Sequence, residues 1–255
     1  MSVVSIQIGT FTKSKSDVFE NVCKVNSKYL KKMENSFLKC DYFFFPPFTS
    51  KKILKKYKKK ITNINFIVGD FAENNRKNNF KKCLIMDNGT RSLSSLINKT
   101  VPYLKKINNV EFYVCIDHLS QKFKDQIYMS NNIVPVSGLK NMHEKLSEAD
   151  IVIARGGFNT ISECLVLKKP ALFFNEKNNP EVSENLRLLT KKYKLACLIN
   201  KGDWGKNFQK KLNSFIKKDS KRIYKKLKYE KFRFNGAKQV VEMISKKLIR
   251  GRLND

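Results

Sequence analysis

Residues 149–174, ADIVIARGGFNTISECLVLKKPALFF, decide how this chain folds. An apolar run, IVIA, ends in an arginine and a glycine pair. A stretch with helical spacing follows, and a proline then leads into a second apolar run, ALFF. Apolar runs without polar alternation are typical of strands buried on both faces. A strand, a glycine turn, a helix and a second strand make up the βαβ unit of a parallel sheet.

The same alternation recurs from about residue 81 onward. The apolar runs are CLIM (83–86), VEFYVCI (110–116), IVPV (133–136), IVIA (151–154), ALFF (171–174) and ACLI (196–199). A segment with helical spacing follows each run, and residues 235–249 have the pattern of a closing amphipathic helix. Repeated strand–helix units predict an α/β fold, a Rossmann-like, doubly wound parallel sheet. We therefore predict one such domain over residues 81–255.

The first 80 residues have a different pattern. VVSIQI, DYFFFPPF and NFIVGDF are predicted strands, and residues 16–39 are a predicted long helix. The pair Pro46-Pro47 and the lysine cluster after it indicate the exit from one element into a connector. This segment is too short for a second complete nucleotide-binding domain. We predict a shortened, incomplete N-terminal α/β segment with its connector.

The charge of the chain favours anionic partners. Lys and Arg number 52 against 22 Asp and Glu, a formal net charge of +30. Lysine clusters at 51–60 and 217–233 could lie on an anionic membrane surface or form solvated faces, and the lysine content also fits an AT-rich genome. Nucleic acid is not an expected partner, since the basic residues are not interleaved with a recognisable aromatic platform.

The cysteines and the apolar runs indicate a cytoplasmic protein. Six cysteines are scattered without Cys-x-x-Cys spacing, which predicts buried free thiols and neither disulfides nor a zinc site. No apolar run approaches the ~18–20 residues that cross a bilayer, and the first residues lack the features of a signal peptide.

Four predicted loops could hold a ligand, because ligands of open parallel sheets bind beyond the carboxyl ends of the strands. They are residues 87–91, 137–139, 155–157 and 175–185. None contains an Asp-x-Asp pair, so we expect no metal and no cofactor. The chain has two histidines, His118 and His143, and the helical pattern around His143 favours a surface position over a catalytic one.

The third loop leaves two readings open. Thr160 and Glu163 have the spacing of a capping box, in which Glu163 would bond back to the start of the helix. A carboxylate near a helix start could instead accept hydrogen bonds from the cis-diol of a ribose. Arg155 could be a solvated strand end or a phosphate contact.

This stretch resembles the C-terminal, donor-binding domain of the MurG-like family 28 glycosyltransferases, which have the GT-B fold. The resemblance covers about residues 83–199; the stretch at residues 149–174 is its specific part, and the rest is generic α/β. The matching residues are Ala149, Asp150, Arg155, Gly157, Thr160, Glu163, Pro170 and Asn185.

The resemblance implies a role for each matching position. Glu163 would hold the donor ribose hydroxyls, and Leu139 and Met142 would surround the uracil. Three groups of residues complete the implied nucleotide-sugar site: Arg155, Gly156, Gly157 and Thr160 at the turn beneath the nucleotide, Asn88, Gly89 and Thr90 near the diphosphate, and Glu181 and Asn185 near the sugar. Asn88 and Thr90 depart from the family's Gly-Gly-Ser loop, and Glu181 stands where the family has paired glutamines.

The resemblance also implies the activity, a metal-independent UDP-sugar glycosyltransferase, with UDP-N-acetylhexosamine as the expected donor. The acceptor would be a lipid-linked or cell-surface glycan precursor, at the inner face of the membrane. The family's acceptor domain carries a histidine as candidate general base, and residues 1–80 contain nothing like it. The acceptor half is therefore shortened or sits on a separate chain. Two alternatives are a nucleotide-sugar hydrolase of the type found in pseudaminic acid synthesis and a non-catalytic subunit.

Overall fold

The computed structural model describes residues 4–6, 42–45, 47, 61–69, 79–87, 94–174 and 180–252. Several predictions of the sequence fall outside these residues. They are the helix at 16–39, Cys23 and Cys40, Pro46, the lysine cluster at 51–60, the candidate diphosphate residues Asn88, Gly89 and Thr90, and residues 175–179 of the fourth candidate loop.

A small parallel sheet is formed by strands from the first part of the chain. Its order is β1 (Val4–Ile6), β2 (Tyr42–Phe45) and β3 (Ile61–Asn63). The third strand lies before the predicted run NFIVGDF. Phe66 of that run is instead buried in the main core, and Ile67 makes a single antiparallel bridge to Asn235.

Six parallel strands form the main sheet, in the order β6-β5-β4-β7-β8-β9. The strands are β4 (Lys82–Met86), β5 (Glu111–Cys115), β6 (Ile133–Val136), β7 (Ile151–Arg155), β8 (Ala171–Phe174) and β9 (Cys197–Ile199). All six predicted runs are strands of this sheet. The predicted Rossmann-like parallel α/β fold is confirmed.

Helices connect and cover these strands. They are α1 (Ser94–Leu104), α2 (Gln121–Tyr128), α3 (Leu139–Glu148), α4 (Phe158–Val166), α5 (Pro180–Arg187), α6 (Phe208–Ser214), α7 (Ser220–Tyr229) and α8 (Gly236–Arg252). One π-helical turn, Leu188–Lys192, extends α5, and another, Phe215–Asp219, joins α6 to α7. Among the described residues, no helix is long and apolar enough to cross a membrane.

The central strands are buried on both faces, as their unbroken apolar runs predicted. Leu84, Ile85, Val152, Ile153 and Leu172 are fully inaccessible to solvent. A fully buried aliphatic side chain contributes about 1.5–3 kcal/mol relative to an exposed one, so these strands supply much of the folding free energy. Among the described cysteines, Cys83, Cys115 and Cys164 are buried free thiols, as predicted, whereas Cys197 is a free thiol that is only half-buried.

The strand order reverses between β4 and β7, where an open parallel sheet forms a crevice. From β4 the chain builds outward through β5 to β6, and α3 then returns it to the other side of β4, where β7 begins. The connections after β4 and β7 therefore leave in opposite directions. Such a reversal of strand order is where open parallel sheets bind ligands.

The last helix, α8, returns to the small sheet. Val240 packs with Phe44 and Ile64 in a second, smaller apolar cluster. The Gly236 amide donates to the Phe66 carbonyl oxygen at 3.1 Å, and Gln239 Oε1 accepts from the Asn65 amide at 2.7 Å. The two sheets are thus joined by the C-terminal helix as well as by the chain between them.

Candidate functional site

The turn after β7 places the N-terminus of α4 at the crevice. Gly157 is the N-cap residue, with an extended backbone (φ −66°, ψ 150°), and Phe158 begins the helix. The first amide groups of a helix lack intrahelical acceptors and carry the positive end of its dipole. Such an end is suited to an anionic or strongly polar ligand.

The capping-box interpretation of Thr160 and Glu163 is wrong. Helix α4 begins three residues earlier than that interpretation requires, so Thr160 is inside the first turn and Glu163 is the sixth helical residue. The physical reason is that β7 ends at Arg155 and the glycine pair completes the turn to the helix, which leaves Thr160 buried in it. Glu163 therefore has no role in capping α4, and its largely buried carboxyl group needs another explanation.

The two glycines of the pair differ in how tightly they are packed. A Cβ on Gly156 would lie 2.5 Å from Leu186 Cδ2, so this position requires a residue without a side chain. At Gly157 the nearest atom to such a Cβ would be Arg155 Nη1, at 4.0 Å. The half-buried Arg155 side chain thus turns back toward the start of α4, on the edge of the sheet where the crevice opens.

Glu163 lies in a mostly dry environment. Its side chain is 15% exposed, and burial raises its pKa to about 7, because the ionised carboxylate loses hydration there. A carboxyl group with this pKa changes its charge near neutral pH. Perturbed carboxyl groups of this kind in a crevice are typical of binding and catalytic sites.

His143 faces Glu163 from the neighbouring helix. His143 Nε2 lies 3.8 Å from Glu163 Oε1, and the imidazole is 50% exposed. The predicted surface position of His143 is thus correct, but its contact with Glu163 was missed. The sequence held no signal for this contact, because Glu163 lies on a different helix.

The turn before α3 is held by a residue that the sequence did not single out. Asp117, after β5, accepts hydrogen bonds from the Ser137 hydroxyl and, at 3.3 Å, from the Gly138 amide. The Ser137 hydrogen bond is the main reason that the pKa of Asp117 is below its usual value. Gly138 has a positive φ of 79°, a conformation that favours glycine. Asp117 therefore fixes the turn from which α3 and His143 start.

The two candidate uracil residues are placed differently. Leu139 is the first residue of α3, so its backbone lies at the carboxyl edge of the sheet. Met142 is 6% exposed and belongs to the main apolar core. Met142 is therefore a core residue of α3, and its contact with a base stays a prediction.

Helix α5 provides the remaining candidates. Glu181 is in its first turn, and Asn185 is 4% exposed on the same helix. Because Leu186 packs on Gly156, α5 is attached to the turn after β7. The structure therefore brings Asn185 onto the helix that flanks the Arg155–Gly157 turn.

One residue of the matched pattern lies far from the crevice. Asp150 Oδ2 accepts hydrogen bonds from the amides of Lys81 (2.8 Å) and Lys82 (3.0 Å). Lys81 precedes β4 and Lys82 is its first residue, whereas Asp150 directly precedes β7. Asp150 therefore joins β4 and β7 at the amino edge of the sheet. Its role is structural.

Comparison with known proteins agrees with this architecture. The profile described as "Glycosyltransferase family 28 C-terminal domain" matches residues 88–241, which is more than half of the chain. No sequence among the curated proteins matches the chain significantly.

Several solved glycosyltransferase structures are similar. Phytolacca americana UGT2, complexed with UDP-2-fluoro-glucose and pterostilbene, aligns with a TM-score of 0.63 at 13% identity, over 86% of this chain and 57% of that protein. The calicheamicin glycosyltransferase CalG4 gives 0.59 at 10% identity, over 89% and 62%. Acinetobacter baumannii MurG gives 0.52 at 14% identity, over 89% and 79%.

These identities show a shared fold. The chain spans less than two thirds of the length of the first two proteins. The similarity does not favour MurG over the other glycosyltransferases, so it leaves the sugar and the acceptor open.

Proposed function

Because the chain belongs to the family of glycosyltransferase family 28 C-terminal domains, we propose that it binds a UDP-sugar as the donor-binding part of a metal-independent glycosyltransferase. The expected donor is a UDP-N-acetylhexosamine. The acceptor is a lipid-linked or cell-surface glycan precursor, as in the MurG-like branch of the family.

The position of Glu163 carries this proposal. It lies on the helix that starts at the reversal of strand order, and capping of α4 does not account for it. An ionised carboxylate has two acceptor oxygens, which can take hydrogen bonds from the two hydroxyls of a ribose. Because the site is largely dry, such hydrogen bonds are worth about 1.5–3 kcal/mol each.

Departure of the nucleotide needs stabilisation of the negative diphosphate. The amide groups at the start of α4 and the guanidinium of Arg155 lie at the same edge of the sheet. Preorganised donors of this kind can stabilise developing charge without a metal ion. This arrangement supports the proposal that the chain is the donor-binding part, which holds and activates the UDP-sugar.

Calorimetric titration with UDP and UDP-N-acetylglucosamine tests the proposal directly. We expect wild-type protein to bind both and Glu163→Ala to lose at least about tenfold in affinity, since a pair of hydrogen bonds is removed. Glu242→Gln, on the exposed side of α8, is the matched control and should bind normally. Absence of binding below millimolar concentration, or equal binding by Glu163→Ala, would reject the proposal.

Transfer requires an acceptor site, and we propose that a separate chain supplies it. The support is that residues 1–80 contain no histidine that could serve as the family's candidate general base. Affinity purification should recover a second protein, and transfer should need both. Release of UDP from the donor with no acceptor present would identify a nucleotide-sugar hydrolase instead.

We also propose that the protein works at the inner face of an anionic membrane. Helix α7 buries Ser220, Ile223 and Leu227 and exposes lysines on its other side. Basic side chains near an anionic lipid surface each contribute about 1 kcal/mol. The exposed basic residues of this surface are Lys217, Lys218, Lys221, Arg222, Lys225, Lys226 and Lys228.

Vesicle sedimentation tests this location. Vesicles rich in phosphatidylserine should bind the protein, and Lys→Gln changes at 217, 218, 221 and 225 should weaken that binding. The same change at four exposed lysines elsewhere, Lys99, Lys122, Lys140 and Lys168, is the charge-matched control. Equal loss in both variants would show that total charge matters and that α7 does not dock.

A further inference from the structure

His143 and Glu163 approach each other from α3 and α4, the helices before and after β7. His143 is the fifth residue of α3 and Glu163 the sixth of α4. The imidazole is half exposed, whereas the carboxylate beside it is mostly buried. The ring also lies close to the segment that leads from the small sheet, since His143 Cε1 would be 3.9 Å from a Cβ on Gly69.

The charge of Glu163 decides whether it can hold a ribose. A protonated carboxyl group carries a hydrogen on one oxygen, so it cannot accept from both hydroxyls of a cis-diol. Burial raises the pKa of Glu163 to about 7, which leaves part of the population protonated at neutral pH. A cation within about 4–6 Å favours the ionised form. His143 in its imidazolium form is such a cation.

The other ionisable groups nearby are placed differently. Cys164, next to Glu163 on α4, is buried, and its pKa is raised far above neutrality by burial, so it stays an uncharged thiol. Lys169 directs its ammonium group at the carbonyl oxygens of Ser147 and Ala149, at 2.8 and 2.6 Å. Arg155 turns toward Gly157 at the start of α4. His143 is the group whose ring approaches the Glu163 carboxylate from α3.

We propose that His143 is a positioning residue for the donor nucleotide, whose imidazolium keeps Glu163 ionised and oriented to accept the ribose hydroxyls. This inference rests on the proposed function, because it assigns a residue to the same nucleotide site. It adds an assignment that the matched family pattern does not contain.

Proton NMR tests the pair without any nucleotide. The chain has two histidines, so the imidazole region contains two Cε1–H signals, and His118→Gln assigns them. We expect the chemical shift of the His143 signal to differ between Glu163→Gln and wild type at the same pH, since the neighbouring negative charge is lost. The His118 signal should not move. An unchanged His143 signal overturns the proposal.

The pH dependence of UDP affinity tests the role in binding. At about pH 6.5 we expect His143→Gln to bind UDP roughly 5- to 10-fold more weakly than wild type, because Glu163 is then protonated more often. At about pH 8.5 the two should agree within about twofold, since Glu163 is then ionised without help. His118→Gln is the matched control. An equal loss at both pH values would mean that His143 only supports the structure.

The two proposals can fail separately. Wild-type protein that binds no UDP rejects the proposed function and the role of His143 together. Normal UDP binding by wild type with unchanged binding by His143→Gln at about pH 6.5 rejects only the role of His143.

Discussion

Gly156 lies directly against Leu186, so closely that a Cβ on the glycine would be 2.5 Å from Leu186 Cδ2. Gly156 belongs to the turn after β7, and the buried Leu186 belongs to α5. The contact therefore fixes the distance between the turn at the crevice and the helix that carries Asn185. It explains the first glycine of the pair by packing, independently of any ligand.

Gly156→Ala should destabilise the fold. The added methyl group must displace a buried leucine, and overpacking of this kind costs about 1–3 kcal/mol. Urea denaturation should show the loss as a lower midpoint. Gly202→Ala is the control, because a Cβ there would meet nothing within 4 Å. The double variant Gly156→Ala, Leu186→Ala should lose less stability than the sum of the losses of the two single variants, because the smaller side chain makes room for the methyl group. A double variant whose loss equals that sum would show that this contact is not the cause.

Gly236→Ala should separate α8 from the small sheet. A Cβ at this position would be 2.2 Å from the Asn65 carbonyl oxygen, and a backbone atom cannot move aside as a side-chain end can. We expect a loss of about 3 kcal/mol or more and faster proteolysis of α8. Lys238→Ala, on the exposed side of the same helix, should be close to wild type. Wild-type stability of Gly236→Ala would show that α8 does not dock as described.

Lys169→Met should weaken the end of α3. The buried ammonium group donates to the carbonyl oxygens of Ser147 and Ala149, which belong to the C-terminal turn of the helix. Methionine keeps the apolar chain and removes the donor, at a cost of about 2–3 kcal/mol. The exposed neighbour Lys168→Met is the matched control, with an expected change within about 0.5 kcal/mol. Equal effects of both changes in thermal unfolding would contradict this role.

Glu163 should make stability depend on pH. Its pKa of about 7 in the folded protein is above the ordinary value of 4.5, so the folded state binds this proton more tightly than the unfolded state. The resulting stabilisation is fully present below about pH 4.5 and is lost as the pH rises through about 7. Glutamine has no proton to lose. Glu163→Gln should therefore gain stability relative to wild type between about pH 5 and pH 8.

Denaturant midpoints of Glu163→Gln and of wild type, each at about pH 5 and about pH 8, measure this difference in stability. Glu242→Gln, an exposed carboxylate on α8, should show no such trend. A constant difference between Glu163→Gln and wild type across this range would mean that the Glu163 carboxyl group titrates normally.

The strands of the main sheet were predictable because their cause is local. A strand buried on both faces needs apolar side chains at successive positions, and β4, β7 and β8 show this directly in their residues. The first part of the chain lacked such clear signals. There the run NFIVGDF was predicted as a strand, but Phe66 packs into the main core, and β3 is Ile61–Asn63.

The start of α4 was mispredicted from a correct pattern. Thr160 and Glu163 have capping-box spacing, but a spacing does not say where the preceding strand ends. The register of β7 with β8, which pairs Arg155 with Phe174, extends the strand to the glycine pair and places the helix start at Phe158. A hydrogen-bonding partner on another strand thus decided a local boundary.

The sequence by itself determined the alternation of strands and helices, the parallel α/β class and Glu163 as a candidate ligand residue, because each rests on the residue types along one segment. Tertiary structure alone decided that β4 and β7 are neighbours, that Leu186 covers Gly156 and that His143 faces Glu163. These relationships depend on the crossover by which α3 returns the chain to the other side of β4. A contact between two helices is set by the packing of both on the sheet, which no single segment specifies.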